Sequence, residues 1–288
     1  MRITDFDIYR DLLKGKSGLV ITPDKSYLLD SRLNPVAKKW GYESIDAMTN
    51  VLRGMPPKEL VNDIVEAMTT NETSFFRDTK PFDTFKSHVL PYYKTQMARP
   101  KKLRVWSAAA SSGQESYSLS MLLKEEQATL PGWQFEIVAT DISHEILEQA
   151  KEGLYTQFEV QRGLPIQYLM KYFTQQQDKW QLKPEIKSMV KFQYFNLLDK
   201  MAGLGQFDVI FCRNVLIYFD QPTKKMVLDN MAKQLAPDGF LFLGGAETVL
   251  GITESFKAVP NQRALYAKPD SVHCGAPAAP AKSTQALA

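Results

Sequence analysis

The chain has 288 residues, 44% of them hydrophobic, enough to bury one sizeable core and a smaller second one. Its 35 basic and 32 acidic residues leave a net charge of +3, too balanced for a surface that follows a nucleic-acid backbone. Two cysteines make no disulfide framework, three scattered histidines have no metal-ligand spacing, and no window reaches the ~18 uninterrupted apolar residues of a membrane span. The expectations are therefore a cytoplasmic protein with no metal, no nucleic-acid partner and no membrane insertion.

Residues 1 to about 90 read as helices, with Leu60, Ile64, Val65 and Met68 at helical spacing behind the start signal Pro56-Pro57. Near Pro100 the pattern changes. LRVW (103–106), FEIVAT (135–140) and FDVIFC (207–212) are short apolar runs separated by helix-sized segments, the pattern of buried parallel strands. Gln114 to Thr129 carries Tyr117, Leu119, Met121, Leu122 and Leu123 and stops at Pro131-Gly132, which predicts a crossover helix. After FEIVAT, Ser143 can cap a helix bearing Ile146, Leu147 and Ala150 that ends near Gly153. Residues about 160–190 break this rhythm: PIQYLMKYF reads as a short helix, and QDKWQLKPEIKSMV as small antiparallel strands of an insertion. Asp220 and Pro222 open a further helix closed by Pro237-Asp238-Gly239, FLFLGG (240–245) reads as a strand, and FKAV and ALYA predict a terminal hairpin. The stretch after Pro269 has too little bulky apolar content to pack and is expected to be disordered. The division expected is a helical domain and linker over 1–90, a doubly wound α/β domain over 91–268 with its insertion, and a tail over 269–288.

VWSAAASSGQESYS (105–118) leads from a strand into a helix through small residues, so a ligand can approach the backbone and the helix N-terminus. With Gly113 as its only glycine and no Lys-Ser/Thr after it, this turn is no phosphate loop. Glu115 would repel a diphosphate but can accept from an ammonium or hydroxyl group, as a nucleoside bearing an amino acid requires. Asp141 ends the second strand, where a carboxylate either takes both hydroxyls of a ribose or caps the next helix. Arg213 and Asn214 end the third, facing a ligand crevice or capping loop backbone. NETSFFRD (71–78) reads equally as a helix end followed by an apolar linker.

Together, NETSFFRD, WSAAASSGQESYS, ATDIS, FQYFNLL and FDVIFCRNVLIYFD, in this order and at these separations, closely resemble the CheR methyltransferases, over about residues 4 to 268. The resemblance implies a helical N-terminal domain and a Rossmann-like domain that binds S-adenosylmethionine and carries a small antiparallel β insertion. It implies that Asn71, Thr73 and Arg77 line the methionine and sulfonium end of the cofactor. Glu115 would hold its polar groups and Asp141 its ribose hydroxyls. Asn196 and Leu197 would flank the adenine, and Arg213 and Asn214 would close the pocket. Tyr218 would stand near the transferred methyl, unless it is a packed aromatic whose hydroxyl reaches solvent. The turn departs from the commoner glycine-containing, Glu-Glu form by having Ala110 and Gln114.

The implied reaction is direct methylation of a glutamate carboxylate, leaving S-adenosylhomocysteine, with Arg77 and Tyr218 as the candidates for orienting the acceptor. The implied partner is the cytoplasmic helical domain of a chemoreceptor, an acidic surface. Lys25, Arg32, Lys38, Lys39 and Arg53 form either a matching basic face or an ordinary solvated one. Some relatives also bind a receptor C-terminal pentapeptide as an added strand. Here TQQQDK, between Phe173 and Trp180, is short and lacks glycine, so action without that tether is expected. A monomer is the default. A catalytically inactive cofactor-sensing protein of the same fold and a small-molecule O-methyltransferase are the competing readings.

Overall fold

The computed structural model describes residues 3–96 and 100–275. The first four helices, α1 (Ile3–Ser17), α2 (Ser26–Lys39), α3 (Ile45–Leu52) and α4 (Lys58–Met68), share a core of their own built on Tyr9, Leu13, Leu29, Leu33, Met48, Leu60 and Ile64. Ser44 starts α3 by accepting from the Ala47 amide, and Pro57 precedes α4, where a missing N–H costs nothing.

Beyond α4 an irregular stretch leads into α5 (Lys80–Thr84), a π-helical turn (Phe85–Val89) and α6 (Leu90–Thr95). Phe82, Phe85, Val89, Leu90 and Tyr93 pack in the core of the sheet and not with the first four helices. The boundary expected at 90 therefore lies too late in packing terms. The helical periodicity continues across it, and only the third dimension separates the two cores.

A seven-stranded sheet follows, in the order β6-β2-β1-β7-β8-β10-β9. It contains β1 (Lys102–Ala108), β2 (Gln134–Asp141), β6 (Val190–Tyr194), β7 (Phe207–Cys212) and β8 (Leu235–Leu243), all parallel. β9 (Lys257–Ala258) and β10 (Leu265–Ala267) add antiparallel at one edge, the terminal hairpin foreseen from FKAV and ALYA. Both faces of the parallel strands are covered. Val209 and Phe211 pack on one side and Ile210 and Cys212 on the other, as the two-residue strand repeat requires. The helices that cover these faces include α7 (Gln114–Glu126), α8 (His144–Glu152) and α12 (Gln221–Gln234). The Ser143 hydroxyl caps α8, Gly153 closes it with φ of 61°, and the Asp220 carboxylate caps α12. The strand order reverses between β1 and β7, which opens a crevice outside their carboxyl ends.

The insertion is a separate three-stranded antiparallel sheet in the order β3-β5-β4, made by β3 (Leu154–Thr156), β4 (Phe173–Gln176) and β5 (Lys179–Leu182). Short helices α9 (Gln157–Gln161), α10 (Ile166–Tyr172) and α11 (Pro184–Lys187) complete it. It starts at Leu154, before the expected 160. Phe173, read as helical, turns instead into β4, where its ring meets those of Phe75 and Tyr155. Disorder from 269 onward is also corrected. Val272–Cys274 forms a 3-10 turn, and the His273 ring lies 4.0 Å from that of Phe240, with its Nε2 3.1 Å from the Asp238 carbonyl oxygen. The rest of the expected tail, 276–288, lies outside the described residues. No helix among the described residues is long and apolar enough to cross a membrane.

Candidate active site

One cleft lies at the carboxyl ends of β1, β2, β6 and β7, with about 1010 Å³ of empty space that includes open solvent. All ten residues singled out from the sequence line it: Asn71, Thr73, Arg77, Glu115, Asp141, Asn196, Leu197, Arg213, Asn214 and Tyr218. They come from the ends of β2, β6 and β7, the first turn of α7, the 3-10 turn after β7 and the loop after α4, so the sheet gathers residues separated by up to 147 positions in the chain. The sequence reading missed Ser17, Leu19, Thr69 and Thr70, contributed by the helical domain, and Ile142 and Phe195, which add apolar wall. Nothing in their local pattern distinguishes them from ordinary helix-end and strand-end residues.

The backbone around the cleft is unusual. Phe76, Asp78, Thr79, Ala109, Ser111 and Asn214 all have φ between 48° and 67°, the left-handed region that most side chains avoid. Ala110, where the turn departs from the commoner glycine, is not among them; its neighbours carry the strain. Gly113 is required twice over. Its φ is 93°, and a Cβ there would sit 3.1–3.2 Å from Tyr117, Ala150 and Phe192. Gln114, the other departure, is buried, and its side-chain oxygen accepts from the Ser112 hydroxyl at 2.8 Å.

Arg213 is the hub. Its side chain is 1% exposed and pairs with Glu115 at 2.8 Å and Asp78 at 2.7 Å, while donating to the Arg77 carbonyl at 2.9 Å. The other Glu115 oxygen accepts from Ser107 at 2.9 Å. Among the described residues the buried Arg213 Nε has no hydrogen-bond partner. Asp141 accepts from the Ser111 and Ser143 amides at 2.9 and 3.0 Å, which ties the β1 turn to the start of α8. Burial pushes the Asp141 carboxyl above its ordinary range, against the opposing pull of those amides and that of Ile142. With about four lone-pair sites, its carboxylate retains capacity for a ligand.

Asn196 is more constrained than expected. Its amide donates to the Lys16 carbonyl at 2.6 Å and its oxygen accepts from the Leu198 amide at 3.0 Å, so it braces α1 against the cleft wall. Arg77 donates to the Glu72 carbonyl at 2.8 Å and keeps its remaining donors. The carbonyl of half-buried Tyr218 accepts from the Val20 amide at 2.9 Å, and its hydroxyl has no hydrogen bond among the described residues. No group of three or more His, Cys, Asp or Glu among the described residues could hold a metal ion. The five basic residues of the helical domain do not form one free face. Arg32 holds the Met68 and Thr69 carbonyls at the end of α4, Arg53 pairs with Asp5, and Lys39 pairs with Asp63.

Residues 71–265 match the family described as CheR methyltransferase, SAM binding domain, and residues 4–69 match CheR methyltransferase, all-alpha domain. The chain belongs to the CheR methyltransferase family. It is 41% identical over 259 residues to the chemotaxis protein methyltransferase Cher2 of Pseudomonas putida, covering 88% of this chain and 94% of that one. A chemotaxis protein methyltransferase of Vibrio parahaemolyticus is 41% identical over 258 residues, covering 87% and 92%, and one of Borreliella burgdorferi is 35% identical over 239 residues, covering 81% and 84%. Among solved structures, PKMT2 from Rickettsia typhi in complex with AdoHcy is 17% identical with a TM-score of 0.36, over 61% of this chain and 26% of that one, too distant to carry an argument. The CheR chain is thus an S-adenosylmethionine-dependent methyltransferase with an all-helical first domain and an α/β second one.

Proposed function

We propose that this CheR enzyme methylates glutamate side-chain carboxylates of a chemoreceptor, forming γ-methyl esters and S-adenosylhomocysteine. What carries the reading is that the ten residues implied by the motifs line a single cleft in a chain of this family. Asp141, with lone pairs left over, suits the ribose hydroxyls. Ile142, Phe195 and Leu197 offer an apolar slot for the adenine beside Asn196. Asn71, Thr73 and Arg77 are assigned to the methionine and sulfonium end, and Arg213 and Asn214 to closing the pocket. Glu115, already shared by Ser107 and Arg213, is assigned to the cofactor's polar groups and also keeps the buried guanidinium neutralised.

S-adenosylmethionine supplies an electrophilic methyl, so a carboxylate oxygen bonds to that carbon as the carbon–sulfur bond breaks and its electron pair stays on sulfur. No proton has to move. A glutamate with an ordinary pKa of about 4.3 is already ionised at neutral pH, and a general base is unnecessary. Alignment is then the main contribution, and well-oriented reactants gain roughly 7–11 kcal/mol from it. Arg77 orients the incoming carboxylate as a charge-assisted donor and Tyr218 as a neutral one.

The receptor's cytoplasmic helical domain remains the proposed partner, with Lys25 and Lys38 as its basic contacts, because the other three cations of that group are engaged within the enzyme. Action as a monomer without a pentapeptide tether is part of the proposal. The test is methyl transfer from labelled S-adenosylmethionine to receptor fragments, followed by base treatment and peptide mapping. Base-labile label on glutamate is expected. Protein that binds S-adenosylhomocysteine yet labels no receptor fragment would overturn the reading.

A further inference from the structure

The loop that leaves β7 turns sharply at Asn214, with φ of 59°, and enters a 3-10 turn at Leu216–Tyr218. No strand ladder receives its amides there. Instead, one side chain from beyond β8 receives them. Glu247 Oε2 accepts from the Asn214 amide at 2.9 Å, and Oε1 accepts from the Val215 and Ile217 amides at 3.0 and 3.3 Å. A fourth donor, the Gly244 amide, reaches Oε2 at 2.7 Å. The Glu247 carboxylate is buried, and no Lys, Arg or His among the described residues pairs with it. It is an anion held in a nest of main-chain N–H groups, supplied by the protein itself. The cradle is tight, because a Cβ on Gly244 would lie 2.8 Å from Glu247 Oε2 and 3.0 Å from the Asn214 amide nitrogen.

The far end of the same loop is held by the helical domain. The Val20 amide donates to the Tyr218 carbonyl, and a Cβ on Gly18 would lie 3.1 Å from the Phe219 ring. Tyr218 therefore stands between two fixed points, and only one of them belongs to the α/β domain.

We propose that Glu247 is the positioning residue of the 213–219 loop, setting where the Tyr218 hydroxyl stands in the cleft. This rests on the assignment of Tyr218 to orienting the acceptor. Glu247→Gln keeps the volume but puts an amide NH2 against main-chain donors, so the loop must shift. A misplacement of about 1 Å at a reacting group costs on the order of 100-fold in rate.

The experiment compares full-length Glu247→Gln, Tyr218→Phe and the double variant by single-turnover methyl transfer to receptor fragments at saturating substrates, with S-adenosylhomocysteine affinity measured by calorimetry. Glu247→Gln should lose about 100-fold in rate while binding S-adenosylhomocysteine within roughly tenfold of the parent. The double variant should be no slower than the slower single variant, since both changes act through one hydroxyl. Full rate in folded Glu247→Gln, or losses that multiply in the double variant, would overturn the inference. A fully active Tyr218→Phe would instead remove Tyr218 from the mechanism, a separate failure. Should Glu247→Gln not fold, Gly244→Ala presses on the same cradle with the carboxylate retained. It should show the same loss of rate with binding preserved, and a full rate there overturns the inference equally.

Discussion

Replacing Arg213 by Met tests how the centre of the site is held together. The side chain of Arg213 is 1% exposed, that of Glu115 11% and that of Asp78 52%. Removing the guanidinium therefore strands one buried carboxylate, while Asp78 is left to solvent. The pair with half-exposed Asp78 is worth about 1 kcal/mol or less, because Asp78 is solvated once released, but leaving Glu115 uncompensated costs roughly 3–5 kcal/mol. For a domain of this size that corresponds to a melting temperature lowered by about 6–20 °C. Changing Glu115 to Leu as well removes the stranded charge, and buried pairs replaced by apolar residues are often neutral or better by about 1–4 kcal/mol. Against that, Ser107 loses its acceptor, at a cost of about 1–3 kcal/mol. The double variant should recover most of the lost melting temperature by scanning calorimetry and still fail to bind S-adenosylhomocysteine. If it melts as low as Arg213→Met alone, the destabilisation does not come from the buried charge and the reasoning is wrong.

Asp141→Ala should weaken S-adenosylhomocysteine binding by at least about 100-fold, since two hydrogen bonds to a charged acceptor are worth about 1.5–3 kcal/mol each; calorimetric affinity near that of the parent would exclude the ribose role. Gly163→Ala should lower both the melting temperature and cofactor affinity, because its φ is +90° and a Cβ would fall 2.1 Å from the Phe75 carbonyl oxygen, displacing the stretch that carries Thr73 and Arg77. Gly15→Ala, with nothing within 4 Å, is the matched control and should leave both unchanged or raise stability by about 0.5–1 kcal/mol. The Lys14 ammonium and the Thr223 hydroxyl and amide hold the Asp220 carboxyl down from 3.8 to about 2. A depressed carboxyl stabilises the fold above its unfolded pKa and loses that contribution as pH falls through the folded one. Melting temperature should therefore drop between about pH 4 and pH 2, and Lys14→Met should flatten the drop; parallel curves would show that the pair contributes nothing.

The strands, crossover helices and caps were legible because each rests on a short-range rule: apolar runs for β1, β2 and β7, Ser143 before α8, Asp220 before α12. The strand β6 was not legible, since Lys191, Gln193 and Tyr194 make an edge sequence whose pairing with β2 only the sheet reveals. The helix boundary near 90 failed because α5 and α6 have the same periodicity as α4 but a different neighbour. Of the cleft, the residues at strand ends could be named from position and motif. The groups that hold them could not. Glu247 follows Gly244-Gly245 at a strand end, a combination that marks a turn, yet its four main-chain donors come from two separate loops.

Ser17, Leu19, Thr69 and Thr70 expose the deeper limit, because they belong to a domain with its own core and still form part of the cleft wall. Among the links that fix that arrangement are Lys14 to Asp220, the Lys16 carbonyl to Asn196, and the Val20 amide to Tyr218. Each joins residues about 180 to 206 positions apart, a separation over which no local pattern extends. A cleft walled by both domains is incomplete in either one alone. Any motion of the first four helices relative to the sheet must therefore move the carbonyl end of Tyr218, while Glu247 holds the other end of its loop.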